Sequence, residues 1–185
     1  MSRSYGWRGW IHRHSTRLYG PPAAYATLSW IAAERIAVGK LPTALALPAL
    51  ADEGVTHVVN CRARAQTWIS QDLAVERVLF GRDHVAHAPM WDSGRHQPPA
   101  RWSAAAVFAA DALADPSAKV LIHCQQGRRR SVLLAYAVLR LRGHDAADAV
   151  RLIVDHRLEA EVVPAYQESV ESWLSARNGG PTPAA

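Results

Sequence analysis

The chain has 185 residues, of which 49% are hydrophobic and 20% are charged. This length and composition predict about one domain with a sizeable core and exclude global disorder. Its two cysteines, Cys61 and Cys124, exclude a disulfide framework. No apolar run approaches the ~20 residues of a membrane span, and the N-terminus lacks a signal-peptide pattern, so we expect a cytoplasmic protein.

The formal net charge of +5 is concentrated near the N-terminus. The first thirty residues contain Arg3, Arg8, Arg13 and Arg17 and no acidic residue, so the rest of the chain is almost neutral. A charge placed in this way is weak support for nucleic-acid binding, and we expect no nucleic-acid partner. We interpret residues 1–24 as a basic, aromatic arm, which is either a solvated tail or a segment that contacts a membrane surface or another polyanion.

Residues 25–177 alternate between β-rich and helical patterns, whereas residues 178–185 are interpreted as a disordered tail because Gly and Pro interrupt them. The predicted strands are 35–39, 55–60, 84–90 and 119–123. The predicted helices are 43–52, 100–113, 131–142, 145–156 and 164–177. This alternation predicts a single α/β domain with a central, mostly parallel sheet flanked by helices on both faces.

The segment IHCQQGRRRS, at residues 122–131, carries the strongest chemical signal. It joins a predicted buried strand to a predicted helix, so backbone N–H groups and the helix N-terminus converge on one point that suits a phosphate dianion. Cys124 is expected to ionise there and act as a nucleophile, and the planar guanidinium of Arg130 can bind two phosphate oxygens. Gly127 permits a tight backbone, and Ser131 can cap the helix or bond to the sulfur.

The pattern H-C-x-x-x-x-x-R-S between a strand and a helix resembles the cysteine-dependent protein tyrosine phosphatase superfamily, in particular its dual-specificity branch. The resemblance extends over most of residues 30–175. RIAVGKLPT resembles the opening strand of that branch, VTHVVN its next strand, and AHAPMWDS the strand and loop that deliver a general acid. It implies that branch's fold and hydrolysis of phosphomonoesters through a phosphocysteine intermediate.

The same resemblance implies a role for each residue of the motif. Cys124 would attack phosphorus, and Arg130 would stabilise the transferred phosphoryl group. Asp92 would protonate the leaving oxygen and then activate water, while Ser131 would help the sulfur leave and His123 would orient the loop. The phosphate would be bound by the loop residues Gln125, Gln126, Gly127, Arg128, Arg129 and Arg130. No metal and no cofactor are expected.

The three successive arginines at 128–130 leave the substrate open. In the superfamily, basic residues in this loop recur in branches that act on inositol lipids, phosphatidylglycerophosphate or RNA ends. Arg128 and Arg129 therefore either contact a second phosphate or face solvent and pair with acids. The substrate is then a phosphorylated protein or a small phosphomonoester, acted on by a monomer. A non-catalytic phosphate-binding module and rhodanese-like sulfur transfer are the rival hypotheses.

Other candidate residues admit a functional and a structural interpretation. Cys61 is either a small buried side chain or, as the resemblance implies for some members, a partner for a disulfide with Cys124. Asp83 competes with Asp92 as the acid but precedes the matching loop. The pairs His12 with His14 and His84 with His87 have spacings that a metal site uses, but they lack further ligands nearby in the sequence, so no metal is expected.

Overall fold

The computed structural model describes residues 27–178, and five strands in this part form one sheet. The strands are β1 (Leu28–Ile31), β2 (Ile36–Lys40), β3 (His57–Asn60), β4 (Val85–His87) and β5 (Val120–Cys124). Their order across the sheet is β1-β2-β5-β3-β4. Only the β1–β2 pair is antiparallel, so the prediction of a mostly parallel sheet is confirmed.

Seven α-helices lie in the described part of the chain. They are α1 (Leu47–Asp52), α2 (Arg64–Ser70), α3 (Asp72–Phe80), α4 (Ser103–Ala112), α5 (Arg130–Leu141), α6 (Ala146–His156) and α7 (Pro164–Asn178). Helix α6 begins with the predicted cap. The carboxylate of Asp145 accepts a hydrogen bond from the backbone amide of Asp148 at 2.7 Å. No helix between residues 27 and 178 has both the length and the apolar character needed to cross a membrane.

The sheet has a hydrophobic cluster on each face, because side chains alternate along its strands. Ile36 and Val38 of β2 join the larger cluster with helices α4 to α7. Ala37, between them, faces the smaller cluster, which contains Leu47 and Leu50 of α1. The predicted placement of helices on both faces is therefore confirmed. The central strand β5 is buried along its whole length, and the predicted phosphate loop begins where this strand ends.

Some element boundaries differ from the predictions, and each difference has a local cause. The strand predicted at 84–90 is shortened to three residues, because His84 belongs to a 3₁₀ turn at Arg82–His84 and the pairing with β3 ends at His87. The helix α7 includes Asn178, the first residue of the predicted tail, and Arg177 lies over the Trp173 ring at 5.6 Å in its last turn. The predicted arm at 1–24 and the rest of the predicted tail lie outside the described residues.

Candidate active site

The loop between β5 and α5 lies at the carboxyl end of the parallel strands, where ligands of open α/β sheets bind. Cys124 is the last residue of β5, and Arg130 is the first residue of α5. The five residues between them wrap around the sulfur under the N-terminus of a twelve-residue helix. The positive end of that helix therefore faces the thiol.

Cys124 is only 1% exposed, and its sulfur is surrounded by donors. The Gly127 amide donates to Sγ at 3.2 Å, and the Ser131 hydroxyl lies 3.5 Å from it. Burial raises the pKa of the Cys124 thiol, but the hydrogen bonds from Ser131 and the charge of Arg130 together lower it below its ordinary value. The thiolate is the nucleophilic form of cysteine, so this environment favours attack by the sulfur.

Arg130 is almost fully buried beside the thiol and is held by two neighbours. Its Nη1 donates to Oε1 of Gln66 at 2.9 Å and to the Met90 carbonyl oxygen at 3.2 Å. Its Nε has no hydrogen-bond partner among the described residues. A buried donor without a partner costs free energy in the empty protein, so Arg130 is preorganised to bind an oxyanion.

Asp92 approaches this arginine from the loop that follows β4. Its Oδ2 lies 3.8 Å from Nε of Arg130, and its Oδ1 lies 3.8 Å from Nη1 of Arg129. The Tyr166 hydroxyl donates to Oδ1 at 3.5 Å. Burial raises the pKa of Tyr166 above its ordinary value, which further favours the protonated, donating form. Asp83, the competing acid, lies in the 3₁₀ turn before β4, at the other end of that strand.

The loop that carries Asp92 is fixed by side chains that the sequence analysis did not single out. The buried Gln97 donates through Nε2 to the Trp91 carbonyl oxygen at 3.2 Å and to Oγ of Ser93 at 3.1 Å. The backbone amide of Gln97 donates to Oγ of Ser169 on α7 at 3.0 Å. The contact with Ser169 joins residues 72 positions apart, so no local pattern could have revealed it.

Gly127 occupies a position that tolerates only glycine. Its φ is +68°, and a Cβ placed there would lie 2.4 Å from the carbonyl carbon of Gly39 and 2.6 Å from Nη2 of Arg157. The buried Arg157 supports the loop from below, because its Nε donates to the Gly127 carbonyl oxygen and its Nη1 to the Val38 carbonyl oxygen at 3.2 Å. The loop is therefore packed directly onto β2.

Behind the thiol, His123 belongs to a fully buried polar cluster. His123 Nε2 lies 2.8 Å from Oε1 of Glu76, and both side chains are 0% exposed. The Asn60 amide donates to Glu76 at 3.0 Å and to Asp72 at 2.7 Å. Burial lowers the pKa of His123, but the charge of Glu76 and its hydrogen bond outweigh that effect and raise it. The cluster thus holds the residue that precedes the nucleophile.

Arg128 and Arg129 both pair with one carboxylate, that of Glu161. The amide of Glu161 also donates to the Arg128 carbonyl oxygen at 2.8 Å, so the segment before α7 is tied to the loop. Of the two interpretations given for these arginines, the structure shows pairing with an acid. Gln126 is exposed and Gln125 is half-buried, so the side chains of this part of the loop lie towards its outer side.

Cys61 lies beside Cys124 and is fully buried. Its amide donates to the His123 carbonyl oxygen at 2.8 Å, and both cysteines are free thiols. Burial raises the pKa of Cys61 well above its ordinary value.

Of the paired histidines, His84 packs on the ring of His57 and His87 bonds to the Arg62 carbonyl oxygen. The His12 and His14 pair lies outside the described residues.

Comparison with known proteins gives relatives with the same architecture. No protein-family model matches the chain. Human dual specificity protein phosphatase 26 is 34% identical over 109 residues, which cover 56% of this chain and 47% of that protein. The mouse protein gives the same values. The chain therefore spans about half the length of these curated relatives.

Solved structures match over nearly the whole described part. A variant of human DUSP28 superposes with a TM-score of 0.63 at 25% identity, over 84% of this chain and 99% of that one. The structure of PTPMT1 gives a TM-score of 0.67 at 19% identity, over 83% and 99% respectively. The chain is therefore similar to dual-specificity phosphatases in sequence, over these 109 residues, and in structure. Its fold is that of the dual-specificity phosphatases, as the sequence predicted.

Proposed function

We propose that this protein is a member of the cysteine-dependent protein tyrosine phosphatase superfamily and hydrolyses phosphomonoesters on proteins, chiefly phosphotyrosine and also phosphoserine and phosphothreonine. One observation carries the proposal. A buried thiol with a lowered pKa, a guanidinium with an unpartnered Nε and a carboxyl group lie together at one end of the sheet. These are the nucleophile, the oxyanion ligand and the proton donor that phosphoryl transfer requires.

The first chemical step forms a bond between Sγ of Cys124 and phosphorus while the phosphorus–oxygen bond to the leaving group breaks. Loop amides and the guanidinium of Arg130 stabilise the charge on the other phosphoryl oxygens. Asp92 gives its proton to the leaving oxygen, so that the leaving group departs as a neutral alcohol or phenol. The products of this step are that alcohol and a phosphocysteine.

The second step returns the enzyme to its starting state. Asp92, now a carboxylate, takes a proton from a water molecule, whose oxygen attacks phosphorus. The sulfur–phosphorus bond breaks, inorganic phosphate is released and Cys124 leaves as a thiolate. The Ser131 hydroxyl, 3.5 Å from the sulfur, stabilises that negative charge.

The proposed activity is tested with a generic aryl phosphate in the presence of a metal chelator. We expect turnover, inhibition by vanadate, and release of inorganic phosphate. Cys124→Ser should lose turnover, because a hydroxyl is a much weaker nucleophile than a thiolate at neutral pH. Turnover that survives in Cys124→Ser would contradict the mechanism, and phosphate binding without turnover in the unmodified chain would support a non-catalytic module. Thiosulfate activity would support sulfur transfer instead.

The alternative substrates are non-protein phosphates, including phosphoinositides, phosphatidylglycerophosphate, nucleotides and RNA 5′ phosphates. PTPMT1, which shares the fold, has been crystallised in complex with PI(5)P. In this chain the two arginines that suggested a second phosphate are paired with Glu161 instead. We therefore place phosphoproteins first, and parallel assays with phosphopeptides and phospholipids decide between the two classes.

We also propose that the protein acts in the cytoplasm as a monomer. A catalytic thiolate and a neighbouring free cysteine remain reduced in such a compartment. Fractionation of cells with an antibody to the chain tests the location, and light scattering of the purified protein tests the monomer.

A further inference from the structure

One cavity among the described residues is not used by the chemistry above, and none of its lining residues belongs to the phosphate loop. Its volume is about 680 Å³, and it lies among α2, α3 and the chain that leaves β4. Its principal lining residues are Arg64, Trp68, Leu73, Arg77, His87 and Pro89. We call this cavity the arginine groove.

The groove carries positive charge that no carboxylate in the described part of the chain neutralises. Arg64 and Arg77 make no ion pair there, and no acidic residue lines the groove. Both arginines act on His87, whose pKa is lowered first by burial and further by their two charges. The nearby Asp72 is already committed to Arg62. Two unpaired guanidinium groups therefore face one space, next to an imidazole whose neutral form they favour.

Two chain segments line the groove and also hold Arg130. Arg64 is two residues from Gln66, whose side chain accepts a hydrogen bond from Arg130 at 2.9 Å. Pro89 precedes Met90, whose carbonyl oxygen also accepts from Arg130, at 3.2 Å. Helix α2 and the chain after β4 therefore form part of both the groove and the surroundings of Arg130.

The remaining surface of the groove is apolar. Trp68 is 76% exposed, although a large aromatic side chain is normally buried. Leu73 and Pro89 are half-buried next to it. An exposed aromatic ring beside unpaired arginines is typical of surfaces that bind protein segments.

We propose that the arginine groove is a specificity subsite that binds acidic side chains flanking the phosphorylated residue of a substrate protein. The inference rests on the proposed function and deepens it, because it gives the substrate class of the same site. The carboxylates would pair with Arg64 and Arg77, and the peptide backbone would pass over Trp68. A cavity of this volume holds several side-chain groups, more than one phosphate ion needs.

Binding to the Cys124→Ser variant of the 185-residue chain tests the inference without requiring turnover. Two fluorescent phosphotyrosine peptides are compared by anisotropy, one with glutamates on both sides of the phosphotyrosine and one with glutamines there. Two partly exposed ion pairs give an expected preference of about tenfold for the acidic peptide. The preference should fall as salt is raised from 50 to 500 mM, because exposed charges are screened (these concentrations span roughly a threefold change in screening length).

The double variant Arg64→Ala/Arg77→Ala should bind both peptides about equally. Arg82→Ala is the matched control, since it removes an exposed arginine at the opposite end of β4 and should keep the preference. The reversed pair, Arg64→Glu with a lysine-flanked peptide, should restore part of the lost affinity.

Equal affinity of the parent protein for both peptides, or a preference that survives in the double variant, would overturn the subsite. Binding of neither peptide, with arginine-dependent binding of phosphoinositide vesicles instead, would overturn it in favour of a lipid surface. A failure of the aryl phosphate assay with an intact peptide preference would overturn the proposed hydrolysis and leave the subsite standing.

Discussion

The buried pair of His123 and Glu76 gives the sharpest stability prediction. Both side chains are 0% exposed, and the two atoms that face each other are 2.8 Å apart. Glu76→Gln keeps the shape of the side chain but removes its charge. The substitution removes the carboxylate that pairs with the imidazolium of His123. The new side-chain amide also points a donor towards either His123 or the donating side-chain amide of Asn60.

The expected cost follows from the burial of the pair. Removing one partner of a fully buried ion pair typically costs about 3–5 kcal/mol, because the other charge is left without compensation. The pair formed by His96 and Glu168 is an internal control. Its separation is 2.9 Å, but its side chains are 60% and 66% exposed. Exposed pairs contribute only about 0.2–1 kcal/mol, so Glu168→Gln should change stability little.

Urea unfolding of the three proteins measures the free energy of unfolding, and the measurement is repeated between pH 5.5 and 9. The pKa of His123 is raised in the folded state, so its contribution is complete below the unfolded value near 6.5 and is lost as pH rises through the folded pKa. The difference between parent and Glu76→Gln should therefore shrink at high pH. Equal losses in Glu76→Gln and Glu168→Gln, or a difference that grows with pH, would refute the reasoning.

Three further predictions concern the active-site loops. Asp92→Asn should lower kcat by about 10²–10⁴ on alkyl phosphates and by less on aryl phosphates with good leaving groups; an equal effect on both would contradict the acid role. Gly127→Ala should destabilise the fold by about 2–4 kcal/mol and abolish turnover, because its Cβ would meet Gly39; near-normal urea stability would show that the loop is not packed as described. Peroxide should join Cys61 to Cys124 in a disulfide, because adjacent strands lie about 4.8 Å apart and disulfides span Cα distances of about 4.4–6.8 Å. Peptide mapping detects the bond. In Cys61→Ser, thiols should no longer restore the activity that peroxide removes.

The catalytic loop shows how much a local pattern can encode. A buried strand, a short loop and a helix are contiguous in the chain, so residues 119–142 predicted the position of Cys124 and of Arg130 before any contact was known. The same reasoning placed β2, β3 and the helices α4 to α7 to within a few residues. Hydrophobic periodicity and turn residues are properties of neighbouring positions, which is why they suffice there.

The helices α2 and α3 illustrate what that pattern misses. The side chain that α3 buries is that of Glu76. In a sequence pattern a buried carboxylate is read as a solvent-facing residue, so the inward face of this helix is not recognised. Between the two helices, Gln71 has a φ of +58°, which breaks the helical period without the usual glycine. Helix α2 begins where Gln66 accepts from the Ala63 amide, yet the same side chain also holds Arg130. A sequence pattern cannot distinguish a polar side chain that is buried and hydrogen-bonded from one that is exposed to solvent.

The sequence by itself determined which residues can perform the chemistry, because nucleophile, guanidinium and helix cap follow one another along the chain. Only the tertiary structure decided which arginines remain available to an anion. Glu161 neutralises two that lie within the loop, whereas Arg64 and Arg77 remain unpaired within residues 27–178. Charge is a property of a residue, but its neutralisation depends on which distant segments the fold brings within a few ångströms.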